Sequence, residues 1–273
     1  GGMAMFLNCQ YYSTALQHNT QIQVIIPTPE GQEQITGEET KKRYDYKKGL
    51  PVVYLLHGAY GDCSSWVRFS NIERYAQSHQ IVAVMASVEN SFYQNMYHGN
   101  PYFTYITEEL PAFVTALFPV SEKREDTFVA GFSMGGYGAW YVGLSCPERY
   151  SKIAGMSAAM DIAELGKQCR DGKVEGPFAW ENIFDNPEQL AGTEKDIFEL
   201  YRRCQENGVI PELYQACGTK DFLYEMNLDA KRRLEKIGAK LTWSETEGAM
   251  HNWDYWDKEI QKILDWMMNK TCI

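Results

Sequence analysis

No two cysteines in this sequence form a Cys-x-x-Cys pair, and no His-Glu-x-x-His occurs. Those absences exclude the common structural zinc modules, thioredoxin-like redox centres and zincin-type hydrolases, so no metal is expected. The seven cysteines (Cys9, Cys63, Cys146, Cys169, Cys204, Cys217 and Cys272) are odd in number, and several sit among apolar residues. That usage suits buried thiols in a reducing compartment, not a disulfide scaffold. Positive charge is also scarce: 26 Lys and Arg against 36 Asp and Glu leave a formal charge of −10. So acidic a chain is a poor partner for nucleic acid or an anionic membrane surface, and a strongly acidic substrate is disfavoured. The longest apolar runs, near Val52–Leu56 and Ile81–Val88, fall far short of the ~20 residues that span a bilayer. Met3-Ala4-Met5-Phe6-Leu7 has no basic start and is too short for a signal peptide, and Gly1-Gly2 ahead of it reads as a cloning remnant. Repeats and low-complexity linkers are missing too. These absences predict a soluble, cytoplasmic protein in which residues 1–273 form one domain. A homo-oligomer is compatible with all of them.

What the chain does have is aromatic residues, 18 Tyr and 7 Trp among them, and a regular alternation of strand-like and helix-like segments. Residues 4–13 and 19–27, with Ile22, Val24 and Ile26, predict two strands near a sheet edge. The polar stretch from Pro27 to Gly49, including Lys41-Lys42-Arg43-Tyr44-Asp45, reads as a surface loop with solvated charges. Leu50–Leu56 and Ile81–Val88 are near-continuous apolar runs, as central parallel strands are. Ser64–Gln80 reads as one amphipathic helix with Trp66, Phe69, Ile72 and Tyr75 on one side, and Tyr105–Phe118 as a helix interrupted by Pro111. Further strands are predicted at Thr127–Ala130, Tyr150–Ser157, Ile210–Cys217 and Lys240–Thr246. Helices are predicted from Tyr137 to about Cys146 and over Asp196–Glu206, Leu223–Ile237 and Trp253–Asn269. The alternation implies an α/β fold, a mostly parallel sheet with helices on both faces. Residues 159–209, rich in Gly and polar side chains, read as a small cap-like insertion before the penultimate strands.

One stretch carries chemistry. The strand Thr127–Ala130 runs into Gly131-Phe132-Ser133-Met134-Gly135 and then into a helix, the strand–turn–helix context in which Gly-x-Ser-x-Gly acts as a nucleophile elbow. The turn is too sharp for side chains at its flanks, and it leaves Ser133 exposed where a helix N-terminus favours developing negative charge. A serine hydroxyl needs a base, usually a histidine oriented by a carboxylate, and in this fold class the order is Ser, acid, His. Of five histidines only His251 lies late enough, just past the last predicted strand. His18 and His79 read as ordinary loop or helix-end residues. Asp221 follows a strand end directly, where ligand-facing loops sit in open α/β sheets, and it could cap the helix near Leu223 as well. Its rivals Asp185, Asp229 and Asp254 lie in or beside predicted helices. The oxyanion hole needs two N–H groups: that of Met134, after the nucleophile, and that of Ala59, in the loop His57-Gly58-Ala59 after the third strand. His57 itself is assigned to supporting that loop through backbone hydrogen bonds.

With these residues in hand, the chain resembles the esterase D-like α/β-hydrolases, especially the bacterial tributyrin esterase branch. The likeness is carried by Val53-Tyr54-Leu55-Leu56-His57-Gly58, Thr107-Glu108-Glu109-Leu110-Pro111, Ala130–Gly138, Cys217-Gly218-Thr219-Lys220-Asp221-Phe222-Leu223-Tyr224 and Met250-His251-Asn252-Trp253-Asp254-Tyr255-Trp256. It covers nearly the whole chain, and the order and spacing of all five stretches is far more specific than the serine motif. The resemblance implies a cofactor-free carboxylesterase for short acyl chains, with Ser133, Asp221 and His251 at the triad positions. The family also holds S-formylglutathione hydrolases, feruloyl and acetylxylan esterases and mycolyl transferases. Its formylglutathione branch has Leu-Thr-Cys after the first oxyanion glycine, where this chain has Ala59-Tyr60-Gly61.

Substrate walls are expected from the loop Phe92–Tyr102, with Tyr93 and Tyr97, from the insertion around Phe178-Ala179-Trp180, and from Trp253 beside His251. An aromatic-walled site would suit acetyl or butyryl groups, or a sugar or phenol leaving group. The alternatives are an S-formylglutathione-type thioesterase, a feruloyl esterase or a transacylase. A non-catalytic binding protein of the same fold would usually lack a triad member, whereas a candidate for each is present here.

Overall fold

The computed structural model describes residues 4–29, 45–173 and 179–269. Gly1 and Gly2, most of the 41–45 charge run, Phe178 and Cys272 lie outside the described residues. The other six cysteines are free.

Eight strands form one sheet in the order β1-β2-β4-β3-β5-β6-β7-β8. The first two expected strands form an antiparallel hairpin, β1 (Met5–Ser13) with β2 (His18–Ile26), at one edge. β2 is antiparallel to β4 (Val82–Ala86), and every later pairing is parallel, through β3 (Val52–Leu56), β5 (Thr127–Phe132), β6 (Lys152–Met156), β7 (Glu212–Gly218) and β8 (Leu241–Thr246). All residues of β3, β4, β5 and β6 are buried, which is why these strands read as unbroken apolar runs. Alternate side chains feed two cores. Val52, Tyr54 and Leu56 join Tyr137, Trp140 and Leu144 on one face, while Val53 and Leu55 join Trp66, Ile72, Ile260 and Leu264 on the other.

Two expected helices differ in detail. The Ser64–Gln80 segment is split into Ser65–Phe69 (α1) and Ile72–His79 (α2). The Ser70 amide and hydroxyl both bond the Trp66 carbonyl, the chain extends at Ser70, and the Asn71 N–H is taken by Asp257 Oδ1 at 2.8 Å. Amphipathic spacing continues across the break, so periodicity alone could not show it. Around Pro111 the irregularity lies before the proline: Tyr102–Thr104 (α3) leads into a π-helical turn at Tyr105–Glu109, and the regular helix α4 runs over Leu110–Leu117 with Pro111 in its first turn. Proline has no N–H to offer the Thr107 carbonyl, and the Arg149 guanidinium donates to that oxygen instead.

Beyond β5 come α5 (Met134–Ser145), then α6 (Ile162–Arg170), α7 (Trp180–Ile183) and α8 (Ile197–Asn207) in the 159–209 segment, then α9 (Tyr224–Lys236) and α10 (Trp253–Met267). No helix among the described residues is long and apolar enough to cross a membrane.

Candidate active site

The site forms where the parallel strands end. Ser133 sits between β5 and α5 with φ 56° and ψ −122°, a conformation that costs a non-glycine residue of order 1–3 kcal/mol. Glycine is required on either side by crowding. A Cβ on Gly131 would lie 2.1 Å from the Gly135 carbonyl oxygen, and one on Gly135 would lie 2.4 Å from that of Leu56. Helix α5 starts at once, with the Gly136 and Tyr137 amides returning to the Ser133 carbonyl at 3.0 and 3.2 Å.

Asp221 and His251 come from the loops after β7 and β8, and backbone bonds lock those two loops together. The Thr219 N–H donates to Thr246 O (3.0 Å), the Lys220 N–H to Ala249 O (3.0 Å) and the Gly248 N–H to Thr219 Oγ1 (2.9 Å). His251 stands one residue before Asn252, whose side chain caps α10. The outcome is a line of three groups: His251 Nδ1 is 2.9 Å from both carboxylate oxygens of Asp221, and His251 Nε2 is 3.0 Å from Ser133 Oγ. Phe222 and Trp256 flank the imidazole, with ring centroids at 4.4 and 4.9 Å. Asp221 also accepts from the Leu223 N–H at 2.8 Å, so the capping role and the histidine contact coexist.

The Asp221 carboxyl is held below its ordinary range. Its side chain is fully enclosed, and burial alone would raise it, but the hydrogen bond and charge of His251, the Ser157 hydroxyl and the Leu223 N–H outweigh that penalty. Ser157 escaped the sequence reading. It follows β6 with φ 47°, is fully buried, and its Oγ accepts from Trp256 Nε1 at 3.0 Å. A lone serine after a strand offers no signal of this in sequence; only the pairing of β6 with β7 sets it at the same rim as the Asp221 loop, and only the packing of α10 brings Trp256 to it.

Across from the triad, Gly58-Ala59-Tyr60-Gly61 makes a turn closed by Gly61 N–H to Gly58 O at 3.2 Å. The Tyr60 N–H is taken by Asn90 Oδ1 at 2.8 Å. The Ala59 N–H has no acceptor among the described residues, and the Met134 N–H, first in its helix, has no intrahelical one. Ala59 and Met134 both line the cavity that contains Ser133. His57 supports the turn from below. It is buried, its Nδ1 bonds Gly58 O at 2.8 Å, and its Nε2 accepts from the Val88 N–H at 3.1 Å. Burial lowers its pKa, so the ring is neutral with the proton on Nδ1.

The cavity measures about 380 Å³, and among the described residues its wall bears no Asp, Glu, Lys or Arg side chain. Of the expected wall residues Trp253 is there, edge-on to Phe132 at 4.6 Å. The other three lie elsewhere. Tyr93 is fully buried beneath the Gly58–Gly61 turn, its hydroxyl donating to His57 O at 2.8 Å. Tyr97 is exposed on the surface, its amide tied to Ile183 O. Trp180 is buried behind Phe92 and stacked on Phe184, and so backs the wall without reaching it. The aromatic loop and the insertion do contribute to the wall, through Phe92 and through Leu165 of α6. A larger cleft of about 710 Å³ beside Asp161, Arg170, Trp180 and Arg233 contains none of the three aligned groups.

This strand order, with a strained serine at a strand-to-helix turn and a histidine and carboxylate from the last two loops, defines an α/β-hydrolase. Solved structures agree. FphF of Staphylococcus aureus, a fluorophosphonate-binding serine hydrolase seen with substrate bound, superposes with a TM-score of 0.86 at 31% identity, covering 98% of this chain and 100% of that one. The Staphylococcus aureus S-formylglutathione hydrolase FrmB gives 0.82 at 32%, with the same coverage. An acetyl esterase of Caldicellulosiruptor saccharolyticus is 33% identical over 266 residues, 96% of this chain and 97% of its own. The profile of the Esterase family, described as "Putative esterase", matches residues 13–267. The chain belongs to that family, and it is a serine hydrolase that cleaves carboxylic esters.

Proposed function

We propose that this esterase hydrolyses short-chain acyl esters, acetyl to butyryl, through an acyl-enzyme on Ser133. The observation that carries the reading is the unbroken Asp221–His251–Ser133 line at the wall of a small apolar cavity. His251 takes the hydroxyl proton as Ser133 Oγ attacks the ester carbonyl, and Asp221 holds the imidazole tautomer that leaves Nε2 free to accept. The developing oxyanion is held by the Ala59 and Met134 N–H groups, each worth about 3 kcal/mol in such sites. The imidazolium then protonates the departing alcohol, and water repeats the sequence on the acyl-enzyme. Every proton moves between groups of this chain, water and substrate.

The cavity volume lies at the low end of the ~300–1,000 Å³ usual for ligand sites, which supports a small acyl group. With p-nitrophenyl esters from acetate to decanoate, kcat/KM is expected to peak at acyl chains of two to four carbons. A peak at eight or more would sink the short-chain assignment.

The likeness to FrmB motivates a second reading, a thioesterase acting on a glutathione adduct. Such a substrate carries two carboxylates and an ammonium group, and the uncharged wall offers no counter-ion for them. Neutral esters are therefore favoured. S-formylglutathione turning over faster than p-nitrophenyl acetate would reverse that choice.

Ser157 enters the reading as a positioning residue, because its hydroxyl anchors Trp256, which packs edge-on against the His251 imidazole, and helps hold the Asp221 carboxyl below its ordinary range. Ser157→Ala is expected to lower kcat about tenfold with little change in KM, because the Trp256 N–H beside His251 loses its acceptor and the Asp221 carboxyl loses a stabilising hydroxyl. An unchanged kcat would remove Ser157 from the mechanism.

A further inference from the structure

Residues 4–29 contain no Lys, Arg, Asp or Glu, although such residues make up 23% of the chain and leave it at −10. This neutral stretch is the β1–β2 hairpin, and β1 is an outer strand of the sheet, paired among the described residues with β2 alone. Free strand edges invite pairing with another chain, and proteins ordinarily blunt them with charge, proline or a bulge. β1 has none of these. Its register with β2 runs unbroken from Met5↔Ile26 to Ser13↔His18. Met5, Phe6 and Tyr12 are 45%, 36% and 59% exposed. The opposite edge, β8, is shorter and is guarded by Glu245 within it and Lys240 just before it.

We propose that β1 is the two-fold interface of a homodimer, in which Met5–Ser13 pairs antiparallel with the same strand of a second copy about an axis at Cys9. Self-pairing of a strand around a two-fold normal to the sheet matches residues whose numbers sum to a constant, and the full nine-residue overlap puts Cys9 at the centre. In that register Phe6 meets Tyr12, Leu7 meets Tyr11, and Asn8 meets Gln10: aromatic with aromatic, apolar with apolar, amide with amide. Each is a favourable cross-strand pair, and each recurs on both sides of the axis. The edge is also held rigid in advance. Glu109 accepts from Ser13 Oγ and from the Thr14 and Ala15 amides at 2.6–2.9 Å, and Tyr11 stacks on Phe113 at 4.1 Å. Association therefore orders little new chain. A second copy is the occupant because only the strand itself supplies this pattern in reverse, and because two bodies of charge −10 can approach closely only through a neutral patch.

Sedimentation velocity on the intact chain from roughly 1 to 100 µM is expected to show a 31.3 kDa species giving way to one of twice that mass. Added NaCl should favour the dimer, since it screens repulsion between like-charged copies. Gln10→Lys places two ammonium groups within about 8 Å across the axis and is expected to weaken association at least about tenfold. Esterase turnover, and Tm measured at about 1 µM where both proteins are monomeric, should stay at wild-type values, because Gln10 is exposed and outside the cavity wall. A short bismaleimide should join wild-type chains through Cys9 and fail with Cys9→Ser. A single 31.3 kDa species throughout, or a dimer untouched by Gln10→Lys, would overturn the interface. A dimer without the Cys9 cross-link would overturn the register.

Discussion

Ser133→Ala is expected to lower kcat for p-nitrophenyl acetate by about 10⁵–10⁶-fold and to abolish labelling by a fluorophosphonate. In the proposed mechanism the Ser133 oxygen is the atom that becomes bonded to the acyl group, so nothing replaces it; what would survive is substrate binding plus the Ala59 and Met134 amides, acting on attack by water. The fold should tolerate the change. Alanine meets the same backbone strain at φ 56° as serine does, so Tm should move little. His251→Ala should cost about as much, and the double variant no more than either single one, because nucleophile and base act as a unit. A Ser133→Ala protein retaining a hundredth of wild-type kcat would place the nucleophile elsewhere.

Asp221→Asn is expected to cost about 10⁴-fold in kcat with the fold intact. Both carboxylate oxygens accept from His251 Nδ1 at 2.9 Å. An amide of the same shape can turn its NH₂ toward that nitrogen, which holds the proton on Nε2 and leaves no lone pair for the Ser133 hydroxyl. The same carboxylate leaves a mark on stability. Its folded pKa lies below the ordinary value, so its contribution is complete above the unfolded carboxylate pKa of about 4 and is lost as pH falls through the lower folded value. Thermal unfolding followed from neutral pH into acid should therefore fall away less steeply below about pH 4 in Asp221→Asn than in wild type. Equal slopes would mean that the Asp221 carboxyl is not depressed in the folded protein.

Some of the site was legible from residue order because local rules compel it. Gly131 and Gly135 flank Ser133 because backbone carbonyls occupy the space a Cβ would need, and a turn so constrained prints itself in sequence. Asp221 and His251 follow strand ends, and strand ends in a parallel sheet converge on one rim. The cavity wall was not legible. Tyr93, Tyr97, Trp180 and Trp253 are all aromatic and all near the right loops, yet only Trp253 faces the cavity, while the expected loop and insertion reach it through Phe92 and Leu165 instead. Composition tells which side chains can form a wall, not which way a positive-φ turn such as that at Phe92 and Tyr93 will aim them.

The same division runs through the whole chain. Its own residue order determined the strand and helix succession, the buried central strands and the serine turn, since these rest on contacts between near neighbours and on the period of apolar residues. Tertiary structure alone decided the break at Ser70–Asn71, the placing of Ser157 against Trp256, and which aromatics meet solvent, cavity or core. Each of those depends on a partner supplied by a distant element, such as Asp257 and Trp256 of α10 or His57 after β3, and no local pattern encodes where a distant element will pack.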